Sequence, residues 1–301
     1  MLAALILAAG PLLVRTDAYA FPPYAQAVES TDLEKYNTQA EYEAAVGDAR
    51  FALRKLRYRS GGLSVVAYLY APASPAAPRP VVVFNRGSGP RGDVAPEIAA
   101  MLHRLAVAGF AVLCPMYRGS DGGEGTDEMG GADLDDLMAT AALVRELPGL
   151  DPDRLFLYGE SRGGMMVFQA LREGYPARAA AVFGAFTDFD RLLASDPARY
   201  APIVDPMKKS GQYETWVRRR SALSFVDALR APLLLMNGGA DRGVPPEHAF
   251  ALAQALGARG RPYALVVFAE ERHTIRGEQE ERDRQAVRWF RRYLERATGQ
   301  R

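Results

Sequence analysis

The sequence has little cysteine, little histidine and no excess of charge of either sign. A single cysteine among 301 residues excludes internal disulfides and zinc sites built from several thiolates. Cys114 lies in an apolar run, so we expect a buried, unreactive thiol. With 37 basic and 36 acidic residues the net charge is only +1, so the basic excess typical of nucleic-acid binding proteins is missing. We therefore predict no nucleic-acid partner.

Several common cofactor motifs are also missing. The sequence contains no H-E-x-x-H, no G-x-x-x-x-G-K-[ST], and no dinucleotide fingerprint after the first strand of the core. These motifs place zinc-ligating histidines or phosphate-cradling glycines at fixed spacings. Their absence excludes the usual metal hydrolases and nucleotide-binding enzymes, and we predict no cofactor and no metal.

The first twenty residues differ from the rest. Leu2 to Val14 is almost wholly apolar but too short to span a bilayer comfortably, and Ala18-Tyr19-Ala20 fits a small-x-small cleavage site. We predict that residues 1–20 are a signal peptide, which implies export to the periplasm or the medium and no membrane attachment after cleavage. No basic residue precedes the apolar run, so an uncleaved anchor, or a disordered start of a cytoplasmic protein, remains an alternative.

The remaining chain divides into an N-terminal lead-in and one domain, predicted to be catalytic. Residues 21–50 are a polar lead-in with a short helix at Glu41–Val46, and residues 51–298 form the domain. Two strand-like runs around Ser60-Gly61-Gly62 predict an antiparallel hairpin. Short apolar runs then alternate with segments of helical periodicity. The predicted strands are Leu53–Arg59, Leu63–Ala71, Val81–Phe84, Ala111–Pro115, Leu155–Tyr158, Ala180–Phe183, Pro232–Met236 and Ala264–Phe268. The predicted helices are Val94–Ala108, Ala132–Leu147, Gly163–Arg172, Pro246–Leu256 and Glu278–Ala297.

This alternation defines the fold class. Apolar runs bounded by turns are typical of strands buried on both faces, and long helical connections produce right-handed crossovers between parallel strands. We predict an α/β fold with a mostly parallel, doubly wound sheet and the hairpin at one edge. The segment from Arg191 to Asp227 has no clear strand and is predicted to be a small helical cap inserted above the strand ends.

A G-x-S-x-G motif joins a predicted strand to a predicted helix. Gly159-Glu160-Ser161-Arg162-Gly163 follows Leu155–Tyr158, which is the context of a nucleophile elbow in an α/β-hydrolase fold. Small neighbours allow the strained turn that exposes the serine, and the following helix directs its N–H groups at the reacting centre. The motif is weak alone, but its context predicts that Ser161 is a nucleophile.

A serine hydroxyl needs a base, which is usually histidine. His103 and His248 lie inside predicted helices and are expected to be surface or packing residues. His273 lies in the loop after strand Ala264–Phe268, at the carboxyl end of a parallel strand, where this architecture builds its sites. We therefore predict that His273 is the base.

The acid that orients the base is expected between serine and histidine in the chain. Asp241 lies in a glycine-rich turn after strand Pro232–Met236, and Pro245-Pro246 then opens a helix. Asp188 and Asp190 follow the preceding strand and are the rival candidates. We favour Asp241.

Two loops are candidates to contact the substrate. Backbone N–H groups of Arg162 and of Arg86 or Gly87, in the loop Asn85–Pro90, are predicted to form an oxyanion hole. The loop at 121–136 is acidic. Its carboxylates are expected to cap the next helix and to pair with Arg118, with an anionic pocket for a substrate amino group as the alternative. Candidate substrate contacts are Tyr117, Tyr213 and Trp216.

Five segments together are more specific than the elbow alone. They are Asn85-Arg86-Gly87, Tyr117 to Ser120, Asp127 to Asp133, Gly159 to Met165, and Asp241 with Val244-Pro245. Through these segments the chain, from about Leu53 to Tyr293, resembles the catalytic domain of the prolyl-oligopeptidase-like serine peptidases, which include dipeptidyl- and acylaminoacyl-peptidases. The resemblance implies the triad argued above, an acyl-enzyme mechanism and no cofactor.

The sequence departs from that family at three places. Larger members have an N-terminal β-propeller, for which about fifty residues before the first predicted strand are too few. Many members have His-Gly-Gly-Pro where this chain has Asn85-Arg86-Gly87-Ser88. Arg162 stands where an aromatic residue often follows the serine.

Three functions are therefore compared. The first is a serine peptidase acting on short peptides, and the second is a carboxylesterase acting on small acyl esters. The third is a binding module without catalysis, against which the presence of Ser161, Asp241 and His273 argues. The expected partner is a small molecule or short peptide, and the sequence predicts no particular oligomeric state.

Overall fold

The structure is a computed structural model that describes residues 10–87 and 92–294. The strands in the described residues are β1 Leu13–Tyr19, β2 Phe51–Ser60, β3 Leu63–Pro72, β4 Arg79–Asn85, β5 Ala111–Pro115, β6 Leu150–Glu160, β7 Ala177–Phe183, β8 Leu233–Gly238 and β9 Tyr263–Phe268. The α-helices there are α1 Tyr24–Ser30, α2 Gln39–Val46, α3 Ala95–Val107, α4 Leu134–Glu146, α5 Arg162–Arg172, α6 Phe189–Ser195, α7 Pro197–Lys209, α8 Tyr213–Arg220, α9 Glu247–Gly257 and α10 Gln279–Leu294. Short 3-10 helices lie at Leu33–Lys35 and Ala222–Ala228.

The strands form one sheet in the order β1-β2-β3-β5-β4-β6-β7-β8-β9. In this order, all neighbouring strands from β5 to β9 are parallel. The pairs β1–β2, β2–β3 and β3–β5 are antiparallel. Gly61 and Gly62 make the β2–β3 turn with φ of 55° and 86°, which glycine adopts without steric cost. The predicted α/β fold with its mostly parallel sheet and antiparallel hairpin is confirmed.

The helices cover both faces of the sheet. One apolar layer contains side chains of α4, α5 and α9, including Leu137, Phe168 and Leu252. The other contains side chains of α3 and α10, including Leu102 and Phe290. Cys114 is buried in this second layer, and burial raises the pKa of its thiol to about 12, as expected for an unreactive thiol.

The edge of the sheet differs from the expectation. The hairpin is not outermost, because β1 pairs antiparallel with β2 from Leu13 to Tyr19. These residues belong to the predicted signal peptide, whose residues 1–9 lie outside the described residues. Tyr19 packs edge-on against Tyr68 and Phe21, and its hydroxyl donates to Asp93. In this structure the end of the predicted leader is therefore part of the sheet.

The predicted cap is helical. Helices α6, α7 and α8 and the 3-10 helix at Ala222–Ala228 follow β7 before the chain returns to the sheet at β8. Of the helices that the structure describes, none combines the length and the apolar character needed to cross a bilayer.

Candidate active site

The nucleophile elbow forms the junction of β6 and α5. Ser161 has φ of 51° and ψ of −116°, a conformation that L residues rarely adopt. Its amide donates to the carbonyl of Phe183 at 2.9 Å. A Cβ on Gly159 would lie 2.6 Å from the carbonyl oxygen of Gly163, and a Cβ on Gly163 would overlap the carbonyl oxygen of Asn85. Glycine is required here because strand and helix approach so closely.

Asp241 and His273 are hydrogen-bonded to each other. Oδ2 of Asp241 lies 2.7 Å from Nδ1 of His273, while Oδ1 accepts from the amides of Gly243 and Val244 at 2.8 and 2.9 Å. The carboxylate is 1% exposed and the imidazole 34% exposed. Two backbone donors thus fix the carboxylate, and its second oxygen orients an imidazole that substrate can reach.

The imidazole lies beside the elbow. Gly184 has φ of 57°, and a Cβ there would lie 3.1 Å from Cε1 of His273. Gly184 directly follows Phe183, whose carbonyl accepts from the amide of Ser161. The three residues predicted for the triad therefore all lie at the carboxyl ends of parallel strands, after β6, β8 and β9. Gly184 was not predicted, although a glycine immediately after a buried strand is a signal for such a close approach.

The rival residues have other contacts. Asp188 accepts from the amide of Arg191 and caps α6, and Asp190 accepts from the hydroxyl of Tyr213 at 2.5 Å. Nε2 of His103, on α3, lies 2.9 Å from Oδ2 of Asp48. His248 is buried, and its Nδ1 accepts from the amide of Thr187 at 3.3 Å. Both histidines have packing roles, as expected from their positions in helices.

The loop after β4 lies against the serine. A Cβ on Gly87 would be 3.4 Å from Cβ of Ser161, so backbone from this loop is close enough to contact a substrate bound there. The buried Arg86 donates to the carbonyl of Met116 at 2.6 Å and to Oγ of Ser120 at 2.7 Å. Residues 88–90 of the predicted loop lie outside the described residues.

Arg162 is buried between two carboxylates of the acidic loop. Its guanidinium donates to both oxygens of Asp127, at 2.6 and 2.7 Å, and to Asp133 at 2.5 Å. Burial lowers the pKa of Arg162 and the two carboxylates raise it, with a net shift above its usual value. This contact was not predicted.

The rest of the acidic loop is also engaged by the protein. Arg118 binds Asp136, with 2.7 Å from Nη2 to Oδ1, as expected. Asp133 occupies the N-cap position of α4, but its carboxylate accepts from the amides of Gly130 and Gly131. Glu124 accepts from the amide of Ser64. The alternative of an anionic pocket for a substrate amino group therefore receives no support.

The candidate substrate contacts differ in exposure. The predicted contact of Tyr117 is wrong in this structure, because its side chain is fully buried and its hydroxyl donates to Oδ1 of Asn85 at 3.0 Å. Trp216 and Tyr213 are partly exposed on α8. The ring of Trp216 packs edge-on against Phe189, with centroids 4.8 Å apart. These two residues remain candidates.

A buried ion network holds the histidine loop. Arg282 on α10 donates to the carbonyl of Thr274 at 2.7 Å and to Asp283 at 2.9 Å. Asp283 also accepts from the hydroxyl of Tyr158 on β6. Burial raises the pKa of Asp283, but the charges of Arg282 and Arg104 lower it by more. The net pKa of Asp283 is therefore below its ordinary value. The network was not predicted, because sequence alone does not separate buried from exposed charges on an amphipathic helix.

Within the described residues, no group of three or more histidine, cysteine, aspartate or glutamate side chains is placed to hold a metal ion. The site combines Ser161 in a strained backbone conformation, the hydrogen-bonded pair of Asp241 and His273, and the backbone of Gly87 close to the serine. This is the arrangement of an α/β-hydrolase.

Comparison with known proteins identifies the family. The model of the prolyl oligopeptidase family matches residues 96–297, about two thirds of the chain. The chain belongs to this family and is a serine-type peptidase hydrolase. It is 28% identical to the uncharacterized peptidase YtmA of Bacillus subtilis, over 77% of this chain and 91% of that protein. It is 27% identical to the human acylamino-acid-releasing enzyme, over 77% of this chain but only 34% of the enzyme.

Solved structures support the same fold. A puromycin-hydrolyzing peptidase of Mycobacterium tuberculosis matches 81% of this chain and 40% of its own, with a TM-score of 0.69 and 24% identity. An acylaminoacyl peptidase of Pyrococcus horikoshii matches 84% of this chain and 43% of its own, with a TM-score of 0.68 and 23% identity. This chain thus spans about two fifths of the length of these solved relatives.

Proposed function

We propose that the protein hydrolyses short peptides through an acyl-enzyme formed on Ser161, with His273 as base and Asp241 as orienting acid. The observation that carries the proposal is the 2.7 Å contact between Asp241 and His273 beside the strained elbow of Ser161. The family of the chain and the names of its relatives, which include aminopeptidases and acylamino-acid-releasing enzymes, support a peptide substrate.

In the proposed mechanism, Oγ of Ser161 attacks the scissile carbonyl while Nε2 of His273 takes the hydroxyl proton. Asp241 accepts from Nδ1 and stabilises the imidazolium. N–H groups of Arg162 and of the Arg86–Gly87 backbone stabilise the tetrahedral oxyanion. The intermediate expels the amine, which takes the proton from His273. Water then attacks the acyl-enzyme, with His273 again as base, and releases the acid and free Ser161.

The first test is Ser161→Ala. We expect the variant to lose hydrolysis and labelling by a fluorophosphonate probe while its unfolding temperature stays near that of the wild type, since only a hydroxyl is removed. Labelling of the alanine variant at the wild-type rate would remove Ser161 from the mechanism.

The second test separates the acids. Asp241→Asn is expected to lower kcat by about 10⁴-fold, because an amide holds the imidazole in the wrong tautomer. Asp188→Asn and Asp190→Asn are matched controls, since both carboxylates bind elsewhere on the cap. A loss in either control as large as that in Asp241→Asn would show that the acid is misassigned.

The peptide and ester hypotheses are separated by a panel of aminoacyl, dipeptidyl and acyl-aminoacyl anilides together with simple esters. A peptidase is expected to cleave at least one anilide in a Ser161-dependent reaction. Hydrolysis of esters alone would instead identify a carboxylesterase.

Export of the protein stays a prediction. Because Leu13–Tyr19 pairs with β2, cleavage after Ala20 would remove a strand from the sheet described here. Cell fractionation combined with the intact mass of the purified protein tests both parts of the prediction. An exported protein that begins at Phe21 supports the signal peptide, and a cytoplasmic protein that keeps Tyr19 contradicts it.

A further inference from the structure

Two guanidinium groups lie over the ring of Tyr117. The Cζ atoms of Arg162 and Arg86 are 4.9 and 5.3 Å from the centroid of its ring, within the range of cation–π attraction. Tyr117 is fully buried and has φ of 63°, which is rare for a bulky residue. A residue is held in such a conformation only where its surroundings fix it strongly.

Each of the two arginines belongs to one side of the proposed oxyanion hole. The amide of Arg162 follows the nucleophile and begins α5. Arg86 precedes Gly87, the residue whose added Cβ would lie 3.4 Å from Cβ of Ser161. The Tyr117 ring therefore joins side chains from the two separate backbone segments that would donate to the oxyanion.

Further contacts hold the ring and both arginines in place. Asp127 and Asp133 bind the guanidinium of Arg162, and the carbonyl of Met116 accepts from Arg86. The Tyr117 hydroxyl donates to Asn85, whose own carbonyl packs against Gly163. Movement of any one of these groups would shift one donor segment relative to the other.

We propose that Tyr117 is a positioning residue that fixes the spacing of the two oxyanion donors through its cation–π contacts with Arg86 and Arg162. This inference rests on the proposed function. It also gives a role to the residue after the nucleophile: the side chain of Arg162 is buried against Asp127 and Asp133 and anchors its own backbone amide. Donors preset for the oxyanion act in the transition state, whereas ground-state binding depends little on them.

The test replaces the ring and measures turnover per active site. Tyr117→Leu is expected to lower kcat for a minimal ester by about 100-fold, with KM nearly unchanged, because the donors are misplaced only relative to the oxyanion. Active sites are counted by the end point of fluorophosphonate labelling. Affinity for phenylboronic acid, whose tetrahedral adduct places a hydroxyl in the oxyanion hole, is expected to fall by the same factor as kcat/KM.

Three further variants keep the test decisive. Arg86→Gln retains amide donors for the Met116 carbonyl but loses the cation, and is expected to lower kcat in the same way. Tyr117→Phe keeps the ring and is expected to lose less than Tyr117→Leu. Tyr175→Phe is the control for loss of a buried hydrogen bond. It removes a buried hydroxyl that lies 2.9 Å from Oγ1 of Thr140 and has no contact with Ser161, Asp241 or His273 among the hydrogen bonds described.

The outcomes separate the two proposals. If wild-type enzyme is labelled at Ser161 but folded Tyr117→Leu and Arg86→Gln keep wild-type kcat and boronate affinity, the positioning role is wrong and the proposed function stands. A loss in Tyr117→Phe equal to that in Tyr117→Leu would assign the effect to the hydroxyl and contradict the role of the ring. A wild-type enzyme without Ser161 labelling would instead overturn the proposed function.

Discussion

Ser161 and the glycines around it show how close packing places a reactive group. The φ of 51° at Ser161 costs free energy that surrounding contacts must offset. Its amide bond to Phe183 and the contact of Gly163 with Asn85 supply part of that compensation. Three neighbouring strands therefore hold the elbow, because β6 leads into it and β4 and β7 contact it.

Gly163→Ala tests this packing. The added Cβ would overlap the backbone oxygen of Asn85, so β4 or α5 must shift, at an expected cost of about 1–3 kcal/mol in the free energy of unfolding. Because Asn85 leads into the loop at Gly87, we also expect kcat to fall. Gly92→Ala is the control, since its Cβ would meet nothing within 4 Å. Chemical denaturation and ester hydrolysis measure the two effects, and unchanged stability in Gly163→Ala would contradict the observed approach.

His248 gives a prediction for pH dependence. Burial, followed by the charge of Arg191, lowers the pKa of this imidazole below its ordinary value of 6.5, and its Nδ1 accepts from the amide of Thr187. The unfolded chain therefore binds the proton first as pH falls, so the free energy of unfolding decreases below about pH 6.5 and levels off below the folded pKa. His248→Gln keeps an acceptor for Thr187 without titrating. We expect its stability to change less than that of the wild type between pH 7 and 5, and equal slopes would contradict this assignment.

Residues in local sequence patterns could be predicted, whereas contacts between residues far apart in the chain could not. Ser161, Asp241 and His273 could be identified because each lies in a local pattern after a strand. The partners of Arg162 could not, because Asp127 and Asp133 are 35 and 29 residues away in the chain and contact it only through the tertiary fold. The burial of Tyr117 was missed for the same reason: a residue that follows a strand can point into the site or beneath it.

At the scale of elements, periodicity predicted the type of most strands and helices but not all of their ends. Leu155–Tyr158 was predicted as a strand, whereas β6 begins at Leu150 because Arg79 and Pro80 of β4 pair with Leu150 and Asp151. Polar residues there hid the extension. The strand β1 was missed because its apolar beginning resembles a leader peptide, and only the pairing with β2 makes it a strand.

The cap gives the prediction at this scale. Trp216 on α8 packs on Phe189 of α6. The Cζ atom of Arg220 lies over the Trp216 ring, 4.7 Å from the ring centroid. If this surface contacts the distal part of a peptide, Trp216→Ala raises KM for the best peptide substrate more than it changes turnover of a minimal acetyl ester, because only the larger molecule loses remote binding energy. Tyr213→Ala is expected to act in the same direction.

Tyr213→Phe is the matched control for the cap, because it removes the hydrogen bond to Asp190 but keeps the ring. Steady-state kinetics on the peptide and the ester separate the two effects. Equal losses on both substrates in Trp216→Ala would show that the cap helices support the fold and do not bind substrate.

At the scale of the whole molecule, the described residues form one α/β unit whose site lies at the carboxyl ends of parallel strands. A helical insertion, α6 to α8 with the 3-10 helix at Ala222–Ala228, lies between β7 and β8 in the chain. The human acylamino-acid-releasing enzyme and the solved relatives are between two and three times longer than the region they share with this chain. We predict that this helical insertion, which carries Tyr213 and Trp216, contributes to substrate selection.

This architecture predicts which sizes of substrate the purified chain accepts. A small cap restricts entry little, but it also offers little extended surface to bind a folded protein or to pull a segment out of it. Because a scissile bond must reach Ser161, we expect kcat/KM to be highest for short peptides and small esters and cleavage of native proteins to be poor. A peptide series of increasing length, with a native protein and its unfolded form, measures this dependence against a Ser161→Ala background. Native protein cleaved as fast as its unfolded form would show that the chain binds extended surfaces that the cap does not provide.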